Sequence, residues 1–201
     1  MPIRAGEQWG ANRPLPEGAP IVASDAELRD LVIDHRDRGR PIPVVGLLGG
    51  DLCRTLGGHG DRARLEGPDA VTVAVDLGTA IIDGTPTVFV AHLVVGRPFA
   101  SGTVVMQAQW LDDLDLGPRS HPGDGWLDVT SGSVPIGQRR TARRRARTGT
   151  HLPHPGLRHE RKRAGSLEFD RPTAVVIDGV PSGRHRRVEF GIEQAALRVV
   201  V

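Results

Sequence analysis

Residues 70–96 read AVTVAVDLGTAIIDGTPTVFVAHLVVG, and apolar residues recur there at every second position from Val71 to Leu77. A period of two places successive side chains on opposite faces of an extended chain, which is typical of a β-strand. The pattern is interrupted at Asp83-Gly84, a dipeptide strongly preferred in two-residue hairpin turns. This stretch therefore predicts an antiparallel β-hairpin and favours a fold built on a sheet.

The chain beyond residue 100 also divides into short extended segments. GTVVMQAQW (102–110) and WLDVTSG (126–132) each predict a strand. Four further short strands are predicted near the C-terminus: GSLEFDR, TAVVIDG, RRVEFGI and ALRVVV. Only the arginine-rich segment Gln138–Arg147 favours a helix in this part of the chain.

The residues before the hairpin follow a different pattern. Ser24 and Glu27 have the spacing of a capping box, and Gly39 is placed to end the helix that would follow. PIPVVGLL then predicts a buried strand, and DLCRTLGG predicts a short helix with Asp51 as its N-cap. A helix, a strand and a second helix in this order favour a fragment of an α/β layer.

Together these patterns predict an α+β fold that is mainly β. We expect an antiparallel β-sandwich domain over residues 63–201, preceded by a truncated α/β portion over residues 1–62. Gly 26 and Pro 16 in 201 residues favour many turns and few helices. The aromatic fraction is only 3%, so the core must be built mostly from aliphatic side chains.

Several features bear on the location of the protein. No run of residues approaches the roughly 18 apolar residues that a membrane span requires, and MPIRAGEQWG at the N-terminus does not resemble a signal peptide. Cys53 is the only cysteine, so no disulfide can form within the chain. These features predict a cytoplasmic protein, either free or peripheral to a membrane.

Positive charge is concentrated in one segment. Nine arginines and Lys162 lie between Arg139 and Arg163, against the single acid Glu160. Such a segment suits the phosphates of a nucleotide, a nucleic acid or an anionic lipid. A solvated helix face in an arginine-rich protein is the alternative, and the sequence does not decide between the two.

Two other stretches carry residues that suit phosphate chemistry. The backbone N–H groups of Gly49 and Gly50, between a strand and a helix, could face an anion, although neither the P-loop nor the dinucleotide pattern is present. Asp124, on a turn close to Arg119 and His121, could act as a general base toward a hydroxyl. The alternatives are a plain glycine turn and an aspartate that caps its own turn.

These stretches, in this order, resemble the diacylglycerol kinase-like lipid kinases of bacteria. Each of five segments matches a motif of that family, and together they span roughly residues 40–201. The segments are GLLGGDLCRTLGG for P-x-G-T-x-N-D-x-A-R-x-L-G, VAVDLGTAIIDGTPTVFVAHLVVG for the strand pair that opens the second domain, RSHPGDGWLDV for the (N)DG-x-L-D-V turn, RTGTHLPHPGL for G-x-H-x-x-x-P, and TAVVIDGV for V-x-x-DGE.

The resemblance implies phosphoryl transfer from ATP, with Mg²⁺, to the hydroxyl of a diacylglycerol-like or sphingoid lipid. It also assigns roles to residues of this chain, while the metal ligands remain unknown. Asp124 is implied as catalytic base; Gly49, Gly50, Asp51 and Asp178 are implied as nucleotide contacts; Arg119 and His121 are implied to face phosphate or substrate.

The chain departs from the family pattern at three points. It has no G-G-D-G-T string, Gly49-Gly50-Asp51 stands where the family has G-T-x-N-D, and Val180 replaces the glutamate of DGE. These departures favour an alternative, a non-catalytic module of the same fold that binds lipid, phosphate or a partner chain and uses no cofactor. Half of a split enzyme or a shortened gene are also open, as is a homo-oligomer. Nucleic acid is a disfavoured partner, because no aromatic residue interrupts the basic segment.

Overall fold

The computed structural model describes residues 9–201, so most of the segment that bears on a signal peptide lies outside the described residues. Strands make up 46% of the chain and helices 18%, which confirms the predicted α+β, mainly-β class. The strands are β1 (Gly10–Asn12), β2 (Ile21–Val22), β3 (Val45–Leu47), β4 (Val71–Ile82), β5 (Thr85–Phe89), β6 (His92–Arg97), β7 (Ser101–Met106), β8 (Trp110–Leu111), β9 (Leu114–Asp115), β10 (Leu127–Gly132), β11 (Leu157–Lys162), β12 (Ala164–Ile177) and β13 (Val180–Val200). The helices are α1 (Asp25–Asp37), α2 (Gly50–Thr55), α3 (Arg62–Glu66) and α4 (Arg139–Ala146), with a 3₁₀ turn at Ile136–Gln138.

One sheet contains 11 of the described strands. Its main path runs β1-β4-β13-β12-β6-β7-β10-β11, with β5 beside β4 and the pair β2–β3 attached to β13. Every pairing along the main path is antiparallel, whereas β2–β3 and β3–β13 are parallel. The predicted hairpin at Asp83-Gly84 is present as the β4–β5 turn. Strands β8 and β9 form a separate ribbon.

The C-terminal region forms two long strands, so the prediction of four short strands there is wrong. Strand β12 continues through the place where a turn was expected, with a shift of register between Glu168 and Thr173. Strand β13 does the same, with a shift between Glu193 and Leu197. An irregularity of register bends a strand without ending it, and its polar or glycine-rich sequence resembles that of a turn.

The N-terminal elements form a parallel βαβ unit that is joined to the large sheet. Helix α1 begins as predicted at Ser24, whose hydroxyl accepts the N–H of Glu27 at 3.2 Å, and the Glu27 carboxylate accepts the N–H of Ala23 at 2.8 Å. Strand β3 pairs with the last residues of β13, at Val199 and Val200. The domain boundary between residues 62 and 63 stays a prediction.

Two buried clusters hold these layers together. Helices α1 and α2 pack on the sheet through residues such as Leu28 and Leu52, which share a core with Val75 of β4 and Val199 of β13. In the second cluster, side chains from six consecutive strands of the path, β4 to β10, meet each other. The sheet therefore curves around its own core and buries one face in the manner of a sandwich.

A glycine on β4 makes room for the largest side chain of the second cluster. Gly78 lies opposite Phe89 in the β4–β5 register, and a Cβ at Gly78 would lie 2.3 Å from Cζ of Phe89. The Phe89 ring is fully buried and cannot move aside without disturbing the core. This close pairing of an aromatic ring with a glycine fixes the register of the hairpin.

We therefore predict that Gly78→Ala lowers the free energy of unfolding by about 1–3 kcal/mol, the usual cost of overpacking. Gly137→Ala is the matched control, because a Cβ at that position would meet nothing within 4 Å, and we expect a change within about 0.5 kcal/mol. Urea denaturation measures both. Equal stability of Gly78→Ala and the wild type would contradict the packing described.

Candidate functional site

The first turn of α2 is bonded by a carboxylate from another helix. Asp25, the first residue of α1, accepts the N–H of Asp51 at 2.6 Å with one oxygen and the N–H of Leu52 at 3.1 Å with the other. These are two of the backbone donors that are left without partners at the start of a helix. The carboxylate of Asp25 thus occupies the position that a bound anion would take.

The same contact explains the glycine pair before α2. A Cβ at Gly49 would lie 2.4 Å from the carbonyl oxygen of Ala23, and one at Gly50 would lie 2.4 Å from Oδ1 of Asp25. Gly50 also has φ +94, a conformation that favours glycine. The glycines are therefore required by the close approach of the loop before α1.

Asp51 has a different role from the predicted one. The N-cap of α2 is Gly49, and Asp51 is the second residue of the helix, so the prediction of Asp51 as N-cap is wrong. Its carboxylate instead bonds Nε2 of His92 at 2.7 Å and accepts the N–H of Asp112 at 3.0 Å. Since Asp25 reaches the N–H groups from outside the helix, the Asp51 side chain is left to bond a neighbouring strand.

Asp178 joins the same group of residues. It lies on the turn between β12 and β13 and is only 6% exposed. Its carboxylate accepts three backbone N–H groups, from Val90 at 3.0 Å, Ala91 at 2.9 Å and His92 at 3.1 Å. The structure thus brings Asp51 and Asp178, both implied as nucleotide contacts, to opposite sides of His92, and uses both in internal hydrogen bonds.

His92 is the positive member of an acidic cluster that we define as Asp25, Asp51, His92 and Asp178. Burial opposes its protonation, but the hydrogen bond to Asp51 and the charges of the neighbouring carboxylates outweigh burial, so the pKa of His92 is raised. Burial raises the pKa of Asp25 to about 6 and also raises that of Asp178. The cluster is therefore held by one shared positive charge among carboxylates that are costly to ionise.

The acidic cluster also has the spacing of a cation site, since one ligand atom each from Asp25, Asp51 and His92 lie within 4.8 Å of one another. The implied Mg²⁺ takes oxygen ligands that are free to coordinate. Here both Asp25 oxygens accept N–H groups and one Asp51 oxygen has two donors. The arrangement fits neither Mg²⁺ nor an ATP phosphate, because internal donors and acceptors already meet each other.

The second predicted site is the turn that carries Asp124. The Asp124 carboxylate accepts the N–H of Trp126 at 3.0 Å and pairs with the guanidinium of Arg161 on β11. Burial raises the pKa of Asp124, and the charge of Arg161 opposes this. Asp124 is thus a half-buried carboxylate in an ion pair.

Arg119 and His121, both predicted to face phosphate or substrate, make no hydrogen bond to Asp124 in the described chain. The His121 ring packs edge-on against Trp9 at 4.5 Å, and its Nδ1 is buried without a partner among the described residues. Arg119 lines a separate cavity of about 590 Å³ together with Arg161 and His159. The three residues that the turn places close in sequence therefore point into different surroundings.

The turn and the acidic cluster are linked by residues that sequence reasoning did not identify. Asp76 on β4 accepts the N–H of Gly125 at 2.7 Å and that of Ala195 at 2.8 Å. The side-chain amide of Gln107 donates to the carbonyls of Asp76 at 3.0 Å and Val90 at 2.7 Å. Asp76 is a polar residue within the alternating pattern of β4, which was the available sign that it is buried and bonded.

Helix α4 is present where it was predicted and carries an arginine-rich face. Arg143 and Arg147 pair with Asp113, at 3.5 and 2.8 Å. We define the arginine patch as Arg140, Arg144 and Arg145, which are exposed and have no ion-pair partner within residues 9–201. Ile136, just before the helix, is 82% exposed.

Comparison with known proteins gives a likeness of fold. No protein-family model and no curated protein matches the sequence. A diacylglycerol kinase from Bacillus anthracis str. Sterne is similar in structure, with a TM-score of 0.58 and 14% identity over 79% of this chain and 66% of that chain. Two putative diacylglycerol kinases from the same organism give TM-scores of 0.59 and 0.58, also at 14% identity, over 79% of this chain and 69% of theirs.

This chain therefore spans about two thirds of the length of those proteins and has a diacylglycerol kinase-like fold. At 14% identity the likeness concerns the fold alone. No helix in residues 9–201 combines the length and the apolar character needed to cross a membrane.

The raised pKa of His92 has a consequence for stability. A histidine whose pKa is higher in the folded than in the unfolded chain stabilises the fold below the unfolded pKa of 6.5, and this contribution is lost as pH rises through the folded pKa. The raised pKa of Asp25 acts in the same direction at lower pH, between 3.8 and about 6. Above pH 6.5 the histidine therefore dominates.

We predict that the free energy of unfolding of the wild type falls as the pH rises above 6.5, and that His92→Gln flattens this dependence because glutamine does not titrate. His59→Gln is the control, since His59 is exposed and makes no side-chain hydrogen bond in the described chain. Urea denaturation at several pH values measures the slope. An unchanged slope in His92→Gln would contradict the assigned charge of His92.

Proposed function

We propose that this chain is a binding module on a diacylglycerol kinase-like fold, that it binds anionic lipid surfaces, and that it does not by itself transfer phosphate from ATP. The arginine patch is the observation that carries the binding proposal. Its three guanidinium groups lie on one short helix, are exposed, and have no carboxylate partner in the described chain. Each such charge near an anionic surface contributes about 1 kcal/mol of binding free energy.

Ile136 favours a lipid surface over other anionic partners. Its side chain is 82% exposed and lies three residues before Arg139, at the start of the same helical segment. An aliphatic side chain next to cationic residues can enter the boundary between lipid headgroups and acyl chains. A nucleic acid backbone offers no comparable partner for it, and no aromatic residue lies between Arg139 and Arg163 to stack on bases.

The absence of phosphoryl transfer is proposed from the contact between Asp25 and α2. The loop between β2 and α1 reads Ala23-Ser24-Asp25-Ala26-Glu27, one βα unit ahead of Gly49-Gly50, where the resemblance places G-G-D-G-T. The aspartate of that motif is matched, whereas both glycines and the threonine are replaced. Because the Asp25 carboxylate takes the N–H groups of Asp51 and Leu52, a phosphate group would have to displace a buried negative charge to bind there.

The second candidate is an ATP-dependent lipid kinase. It is favoured by the fold, which is shared with proteins described as diacylglycerol kinases. It requires Asp25 to leave the start of α2 and Asp124 to leave Arg161, so that both carboxylates become available. Radiolabelled transfer from ATP with Mg²⁺ to diacylglycerol and to sphingoid alcohols tests it. Transfer by the purified chain above that of Asp124→Asn would favour this candidate over the first.

We predict that the chain co-sediments with vesicles that contain about 30% anionic lipid and not with phosphatidylcholine vesicles, and that Arg140→Gln/Arg144→Gln weakens binding about thirtyfold, from about 1 kcal/mol per arginine. Arg13→Gln/Arg171→Gln is the matched control, because both arginines are exposed and lie outside α4.

Binding should also weaken as the salt concentration rises. Equal affinity of the two double variants, or equal binding to neutral and anionic vesicles, would overturn the proposal.

A further inference from the structure

A small pocket lies beneath the arginine-rich helix. It has a volume of about 260 Å³, and residues of the 3₁₀ turn, of α4 and of the loop after α4 line it. The polar residues in its wall are Gln138, Thr141, Arg145, His151 and His154. None of them belongs to the acidic cluster or to the Asp124 turn.

His151 is the unusual residue of this pocket. It is only 2% exposed, and neither of its ring nitrogens has a hydrogen-bond partner within residues 9–201. Its ring meets Phe99 edge-on at 6.0 Å, which holds the imidazole in place. A buried imidazole that makes no hydrogen bond loses the free energy of hydration without compensation, so its place in the pocket wall requires a polar guest.

The state of His154 determines what else the wall can offer. Nδ1 of His154 accepts the N–H of Gly156 at 3.0 Å, so the ring proton is on Nε2, which donates to Oε1 of Gln138 at 3.1 Å. This leaves the NH₂ group of Gln138 as a donor with no partner in the described chain. His154 itself has no lone pair left for a metal ion.

The remaining polar groups of the wall are mostly donors. The Thr141 hydroxyl and the Arg145 guanidinium make no side-chain hydrogen bond or ion pair among the described residues, and His151 adds a ring N–H. Three neutral donors and one fixed positive charge match a group that has several acceptor oxygens and negative charge. No carboxylate lines the pocket to repel such a group.

We propose that this pocket binds a phosphate group, with Arg145, Gln138, Thr141 and His151 as its donors. Ligand pockets for whole drug-sized molecules are about 300–1,000 Å³, so 260 Å³ suits a single phosphate group better than a nucleotide. The source is either a free phosphate monoester or the headgroup of a lipid. The second source rests on the proposed function, because the arginine patch would then hold the same membrane.

Titration of the full chain with inorganic phosphate and with glycerol 3-phosphate tests the site, with the ring ¹⁵N resonances of His151 as readout. We expect shifts of those resonances and a dissociation constant of about 1 mM or tighter. Arg145→Gln should weaken the affinity about tenfold, the loss of one charge-assisted hydrogen bond. Arg143→Gln is the matched control on the same helix, because Arg143 pairs with Asp113 and does not line the pocket; its affinity should stay within about twofold.

His151→Leu gives a second, independent test. Removing two buried nitrogens that lack partners should leave the melting temperature equal to or above that of the wild type, while the rise in melting temperature on adding phosphate is lost. This combination is not expected of a residue with only a structural role. Absence of any phosphate-dependent shift in the wild type would overturn the proposal, as would equal loss in Arg143→Gln and Arg145→Gln.

Vesicles separate the two sources and the two proposals. Phosphatidate exposes a phosphate monoester and phosphatidylglycerol a diester, and each is compared at equal surface charge with and without Arg145→Gln and His151→Leu. A preference for phosphatidate that both variants remove supports a headgroup in the pocket. Phosphate binding without any vesicle binding supports a free phosphate monoester and overturns only the proposed function. Vesicle binding without any phosphate response overturns only the pocket.

Discussion

The contact between the Asp25 carboxylate and the first N–H groups of α2 fixes how the N-terminal layer meets the large sheet. It holds α1 and α2 together, and it requires the glycine pair Gly49-Gly50, because a side chain at either position would overlap the approaching loop. With Asp25 at the helix start, Asp51 is free to bond His92 on β6. The charge on His92 then balances carboxylates that burial makes costly to ionise.

From this cluster the structure continues through hydrogen bonds to the C-terminal half. Asp178 fixes the backbone before β6, Gln107 joins that backbone to Asp76, and Asp76 holds the turn that carries Asp124. The positions at which related kinases would bind nucleotide are thus linked parts of one internal scaffold. The exposed charge lies elsewhere, on α4, which is why binding rather than phosphoryl transfer is the function we propose.

Local chemistry made several elements predictable from the sequence. Ser24 and Glu27 fix the start of α1 through their own backbone neighbours, and Asp83-Gly84 fixes a turn within four residues. The acidic cluster could not be predicted in this way, since Asp25 and His92 lie 26 and 41 residues from Asp51 and meet it only through the parallel βαβ unit. The two long C-terminal strands were missed because Pro172 and Ala195 lie at shifts of register that resemble turns in sequence. The pocket at His151 gave no signal beyond a histidine between prolines.

The central claim is that the chain closes its own phosphate-binding position with Asp25. Titration of the ¹⁵N-labelled protein with ATP and Mg²⁺, followed at the backbone amides of Asp51 and Leu52, tests this most directly. We predict that both amides keep their resonances and that no binding is detected up to about 1 mM ATP, since a phosphate would have to replace a buried carboxylate. Saturable shifts of these two amides at submillimolar ATP would contradict the claim and would place a nucleotide where the structure places Asp25.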